Sequence, residues 1–216
     1  MLLPDAREAI VTTCRELSRA GLVVGTAGNV SVLEGDLVAV TPSGVRYAEL
    51  TPELVGVHRL DGGAVEAPLA PTSELPLHLA IYAARPEAGA IVHTHSPAAT
   101  ALSTLVYEVP TVHYYVAMFG GATVPVAPYA TYGTNELARN VVHALRGRTA
   151  CLMGNHGAVT LGPDLVTAHE KSVYLEWLCD VYLRASSAGT PHLLSPAQLD
   201  AVTEKLTGYG QQPPTA

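Results

Sequence analysis

The chain has 216 residues, 48% of them hydrophobic and only 14% charged, and its acidic residues outnumber Lys and Arg by 19 to 12. One domain with a sizeable core is expected at this length, and a disordered or strongly basic chain is excluded. Lysine occurs only at Lys171 and Lys205, so there is no basic surface for a phosphodiester backbone and no nucleic-acid partner is expected.

Cys14, Cys151 and Cys179 stand apart among apolar neighbours, a pattern that argues against a disulfide framework and fits a reducing compartment. Met1-Leu-Leu-Pro-Asp5 carries neither a basic cluster nor an apolar stretch, so no secretory leader is expected. No apolar run approaches the ~18 residues needed to cross a bilayer. The expectation is a soluble, cytoplasmic protein with no membrane partner.

Ala6, Ile10, Cys14 and Leu17 recur on one face of a helix over 5–20, which Gly21 can close. Val30 and Val32 alternate with Asn29 and Ser31, and Glu34-Gly35-Asp36 turns the chain back, predicting a hairpin over 29–41. A third strand is expected over 54–60, ended by Asp61-Gly62-Gly63. A helix follows over 73–85, stopped by Pro86, and then a strand over 90–95. Ser96-Pro97 predicts a capped helix over 97–106. Residues 111–128 read as one or two strands, and Thr134 caps a helix to about 146. Two short strands are expected over 149–161 around Gly154-Asn155-His156-Gly157, then the longest helix over 163–187 and a last one from Ser195-Pro196. Residues 1–210 form the expected domain and 211–216 a polar tail. Hairpins and helices interleave without a βαβ rhythm, so the fold class is α/β, with a central, largely antiparallel sheet flanked by helices.

His93-Thr94-His95 is the sharpest chemical feature. Alternate side chains of a strand share a face, so both imidazoles can address one metal ion. His156 stands in a turn where Gly154 and Gly157 permit close backbone approach. Three histidines with one open position is the pattern of a catalytic zinc site, although from spacing alone an ordinary turn histidine is the plainer reading. Glu74 opens a helix, where it could be a ligand, a general base or a simple first-turn carboxylate.

Gly25-Thr26-Ala27-Gly28-Asn29 follows a helix and precedes a strand, the reverse of a Rossmann or P-loop turn. Each of this loop, Thr41-Pro42-Ser43-Gly44 and Thr72-Ser73 reads alone as a plain turn. Together their hydroxyls and backbone N–H groups could make a small phosphate pocket without lysine. His58, His78, His143, His169 and His192 read as packing or surface residues, and Tyr174, Trp177 and Tyr182 as core or subunit contacts. No G-x-S-x-G and no cysteine in a polar turn is present, so serine and cysteine nucleophiles are set aside.

Seven blocks in this order resemble the zinc-dependent class II aldolase family, which also contains the L-ribulose-5-phosphate 4-epimerases. They are Gly25 to Ser31, Thr41 to Gly44, Pro71 to Glu74, His93 to His95, Ala127 to Thr134, Asn155 to Gly157 and Thr207 to Gly210. The length, His113-Tyr114, the Ala-Pro-Tyr-Ala-Thr block and the terminal Tyr-Gly are most similar to the L-fuculose-1-phosphate aldolase branch. The resemblance implies the class II aldolase / 4-epimerase fold and a fourfold homotetramer with sites between subunits. It implies one Zn²⁺ per subunit and reversible cleavage of a ketose 1-phosphate to dihydroxyacetone phosphate and L-lactaldehyde.

By the same resemblance, His93, His95, His156 and Glu74 would ligate zinc, with Glu74 also the acid/base. Thr26, Gly28, Asn29, Ser43, Gly44, Thr72 and Ser73 would hold the phosphate. Tyr114 and Tyr209 would reach a neighbouring subunit's site, Tyr114 exchanging a proton with the C4 oxygen, and Tyr132 would line the aldehyde end. Two positions depart from the family pattern. Thr72 stands in place of Ser and keeps the hydroxyl, and Asn155 stands where a second His often precedes the third ligand. The 4-epimerases carry Asp in place of Glu74, whereas methylthioribulose-1-phosphate dehydratases share the Glu and the three histidines. Adducin-type structural modules lack the ligands, and here all four positions are filled.

Overall fold

A computed structural model describes residues 1–206. Tyr209 and the 211–216 tail lie outside the described residues. In chain order the elements are α1 (Pro4–Arg19), β1 (Asn29–Glu34), β2 (Leu37–Val40), β3 (Gly56–Arg59), β4 (Ala64–Glu66), α2 (Leu75–Ala84), β5 (Ala90–Thr94), α3 (Pro97–Ser103), β6 (Glu108–Val109), β7 (Val124–Ala127), α4 (Asn135–Ala144), β8 (Ala150–Met153), β9 (Gly157–Gly162), α5 (Leu165–Ala188) and α6 (Pro196–Leu206). Short 3₁₀ turns occupy Pro52–Leu54 and Tyr114–Phe119.

The strands form one sheet in the order β4-β3-β2-β1-β5-β9-β8-β7-β6. Neighbouring strands are antiparallel except β7 and β8. The α/β expectation with a largely antiparallel sheet therefore holds. Helices α2 and α4 cover one face, and α1, α3 and α5 cover the other. Central strands are consequently buried on both sides: Ile91 of β5 faces the α2 layer while Ala90 and Val92 face α1. That is why Ala90–Val92 and Ala150–Met153 are runs of small and apolar residues rather than alternating ones. Among the described residues no helix is long and apolar enough to cross a membrane, and all three cysteines are free and buried.

Local chemistry caps the N-termini of α4, α5 and α6. Thr134 Oγ1 accepts from Leu137 N at 3.2 Å, as expected of its capping position, and Asp164 Oδ1 accepts from Thr167 N at 2.7 Å. Ser195 and Gln198 form a reciprocal capping box at α6. The expected Ser96 cap is different: helix α3 starts at Pro97, but Ser96 makes no side-chain cap bond. The Glu176 carboxylate of α5 instead accepts from Ala98 N at 2.8 Å and Ala99 N at 2.9 Å. The helix also ends at Ser103 rather than at 106.

The segment expected as strands over 111–128 is corrected. Only Val124–Ala127 is a strand there, and Tyr114–Phe119 winds into a 3₁₀ turn. Val116 and Phe119, three residues apart, are both fully buried, the spacing at which 3₁₀ side chains eclipse. The third strand is shorter than 54–60, because Pro52 begins a 3₁₀ turn ahead of it. Asp61-Gly62-Gly63 does not merely end that strand but hairpins it into β4.

Candidate metal centre

His93 projects from β5 toward the α2 layer, and its Nδ1 lies 2.9 Å from the Ala158 carbonyl of β9. A carbonyl only accepts, so Nδ1 carries the hydrogen and Nε2 is left to face the cavity. His95 follows just past the end of β5 on the same side, with its Nε2 3.0 Å from His93 Nε2. His156 arrives from the β8–β9 turn, where Asn155 holds φ +54° and Gly154 N bonds to the Ala127 carbonyl at 2.9 Å. The three rings stand edge to face, their centroids 4.8–4.9 Å apart.

Glu74 closes the set from the N-cap of α2. Its Oε2 lies 3.0 Å from His93 Nε2 and accepts from Asn29 Nδ2 at 2.9 Å; its Oε1 lies 3.6 Å from His156 Nε2. One ligand atom from each of the four residues falls within 4.8 Å of all the others. Glu74, His93, His95 and His156 thus converge in space.

The electrostatics suit a cation. Burial pushes His95 and His156 down to about 4, helped by positive charge on neighbouring histidines, so both are neutral near pH 7 with lone pairs available. Burial also opposes charge on His93, but the Glu74 carboxylate and the bond to Ala158 outweigh it and raise its affinity for a proton. Desolvation would raise the Glu74 carboxyl, yet His93 and Asn29 hold it well below the usual range. Glu74 Oε1 is buried and has no hydrogen-bond partner, a costly state for a carboxylate oxygen. A divalent ion fits these residues: it would take the orphaned Oε1 and the three imidazole nitrogens, a donor set that suits zinc.

The candidate phosphate loops adjoin this cluster. Thr72 N bonds to the Thr41 carbonyl and Ser43 N to the Ala70 carbonyl, each at 3.0 Å, so the second and third loops lie side by side. Thr72 Oγ1 accepts from Glu74 N at 3.3 Å. Gly28 packs on β5 so closely that a Cβ there would come within 2.8 Å of the His93 carbonyl oxygen, which requires glycine. Thr26, Ser43, Gly44 and Ser73 are exposed, and Ser73 lines the cleft beside Glu74. Asn29 differs from the expectation in emphasis, since its buried side chain is engaged with Glu74 and His78.

Tyr132 lines a cleft of about 290 Å³ together with Ser73, Glu74, His95 and His156. Tyr129 lines the same cleft and was not among the residues expected; its place in the Ala-Pro-Tyr-Ala-Thr block was the available signal. Tyr114 is elsewhere, 38% exposed and stacked on His113 at 4.2 Å beside Trp177 of α5. His78 is a packing residue with more to it than burial: it is fully buried and bonded to Ser31 and Asn29, and Asn29 in turn bonds to Glu74.

Residues 8–183 match the family model for the class II aldolase and adducin N-terminal domain. The chain belongs to the class II aldolase family. It is 39% identical over 214 residues to the 5-deoxy-D-ribulose 1-phosphate aldolase of Bacillus thuringiensis serovar kurstaki, covering 98% of this chain and 100% of the relative. The L-fuculose phosphate aldolase of Escherichia coli K12 is 40% identical over 203 residues, with 93% and 94% covered. A solved L-fuculose 1-phosphate aldolase superposes with a TM-score of 0.90 at 35% identity, over 94% of this chain and 96% of that one. This class II aldolase is therefore a lyase of a metal-dependent family, with a His₃Glu cluster able to bind the ion.

Proposed function

We propose that this class II aldolase cleaves L-fuculose 1-phosphate, or a ketose 1-phosphate close to it, into dihydroxyacetone phosphate and a short aldehyde such as L-lactaldehyde. The observation that carries this reading is the meeting of the His₃Glu cluster with neutral-donor loops on one side and a tyrosine-lined cleft on the other. His93, His95 and His156 would hold Zn²⁺, which would supply Lewis-acid stabilisation of the negative charge that develops as the carbon–carbon bond breaks.

The chain's own groups divide the remaining work. Thr26, Gly28, Asn29, Ser43, Gly44, Thr72 and Ser73 bind the phosphate through hydroxyls and backbone N–H groups, which fixes the three-carbon half beside His93. Tyr132 and Tyr129 flank the aldehyde end. Glu74 is ionised, and its Oε1 has no hydrogen-bond partner, so it can hold or deliver the proton at the carbon released when the bond breaks. Tyr114 lies half-exposed on the surface, a placement suited to reaching a neighbouring subunit's site and exchanging a proton with the C4 oxygen there. This reading gives Tyr209 the same role toward a neighbouring subunit's site and is completed by a fourfold homotetramer. Buried free cysteines support a cytoplasmic setting.

The 39% identity to a 5-deoxy-D-ribulose 1-phosphate aldolase favours a second substrate of the same chemistry, since both sugars end in an unphosphorylated carbon. Release of dihydroxyacetone phosphate from each, coupled to NADH oxidation, separates them: the substrate with the higher kcat/KM is the better fit to the Tyr129–Tyr132 cleft. Release from neither would remove the aldolase substrate assignment.

A further inference from the structure

Two polar stripes meet in the otherwise apolar layer between β1 and α2. Glu74, His78 and Tyr82 recur every fourth residue, one helical turn apart, and Asn29 and Ser31 alternate on the strand facing them. The spacings match: four helical residues rise ~6 Å and two strand residues ~6.6 Å, so each strand side chain fits between two helix side chains. All five are buried, with Ser31 and His78 at 0% exposure.

Their hydrogen bonds form one directed chain. Asn29 Nδ2 donates to Glu74 Oε2 at 2.9 Å, so Asn29 Oδ1 must face the other way and accept from His78 Nε2. With its hydrogen on Nε2, the His78 ring accepts at Nδ1 from Ser31 Oγ at 2.6 Å, and Ser31 in turn accepts from the Tyr82 hydroxyl at 2.8 Å. The opposite tautomer would turn the Asn29 carbonyl oxygen onto the Glu74 carboxylate, which is repulsive.

We propose that Tyr82, Ser31 and His78 are positioning residues that act through Asn29 on Glu74, pinning Oε2 and so fixing the orientation in which the carboxylate meets the ion and substrate. The proposal rests on the aldolase reading for its kinetic consequence, but its structural claim does not. Asn29 then has a use besides any contact with phosphate, and a histidine far from the open cleft becomes part of the reaction's geometry.

The test compares His78→Leu, which removes the donor to Asn29, with His78→Gln, whose amide N–H reaches the same acceptor. Loaded with Co²⁺ alone, the wild type and His78→Gln should share one visible absorption spectrum, and His78→Leu should be shifted. With substrate, His78→Leu should lose at least tenfold in kcat with KM within about twofold, and His78→Gln should recover most of it. Ser31→Ala, which frees the ring to change tautomer, carries the same comparison if His78→Leu does not fold. In ¹⁵N spectra of the wild type, the ring signals lost in His78→Gln should report hydrogen on Nε2. Hydrogen on Nδ1, or equal losses in the Leu and Gln variants with an unshifted Co²⁺ spectrum, would overturn the relay. If no variant and not the wild type released dihydroxyacetone phosphate, the substrate reading would fall, while the tautomer and the Co²⁺ spectra would still decide the relay.

Discussion

Gly157 packs against Thr94 so tightly that a Cβ on it would lie 2.2 Å from the Thr94 carbonyl oxygen. This contact seats the His156 turn against the strand that carries His93, because Thr94 and Ala158 are paired in the β5–β9 ladder. Gly157→Ala forces the two strands apart, and overpacking of this kind costs about 1–3 kcal/mol. We expect a lower Tm and at least tenfold weaker metal binding, read by competition with a chromogenic chelator. Unchanged metal affinity would separate the turn from the site.

Glu74→Gln keeps the shape of the side chain but removes its charge and its capacity to carry the reacting proton. A folded, metal-containing protein with kcat reduced roughly 10²–10⁴-fold is expected. His93→Ala should behave differently, losing metal and turnover together. Metal analysis beside a steady-state assay distinguishes the two patterns; full activity in Glu74→Gln would take the residue out of the mechanism.

Acid should destabilise the fold through His78. The ring is held down to about 3 in the folded protein, against 6.5 for the free group. Between those values the unfolded chain binds the extra proton, so stability is constant above about pH 6.5 and falls as pH drops toward about 3. The slope from this one group is about 1.4 kcal/mol per pH unit. Urea melts should show the wild type losing roughly 2 kcal/mol more than His78→Gln between pH 7 and pH 5. Parallel losses would mean that the histidine is protonated in the folded state.

Glu176 substitutes for the missing side-chain cap of α3. Glu176→Ala leaves two helix N–H groups without their acceptor, and the cost should be about 1–2 kcal/mol. For a protein of this size that corresponds to a Tm decrease of roughly 2–8 °C, measured by calorimetry, with little change in KM.

Which parts of the molecule could be read from sequence follows from the range of the forces involved. His93 and His95 were legible because a two-residue period is a local property of a strand, and helix starts at Thr134 and Pro196 because capping is local as well. The Tyr114–Phe119 turn was not, since its apolar residues are buried by tertiary contacts rather than by a strand period. The Glu176 cap joins residues 78 and 77 positions apart, which no window along the chain can see. His78 did carry a signal, as a polar residue one turn from both Glu74 and Tyr82 in an apolar helix. Its meaning depended on Asn29 and Ser31 lying opposite.

The central claim is that the His₃Glu cluster holds the ion on which aldol cleavage depends. The most direct measurement is a Zn²⁺ titration of the chelator-stripped protein, with bound metal and release of dihydroxyacetone phosphate from L-fuculose 1-phosphate followed together. Activity should rise from baseline in step with binding and level off at one ion per chain, with neither response in His93→Ala. Full release from the stripped protein, or an ion bound equally well by His93→Ala, would contradict it.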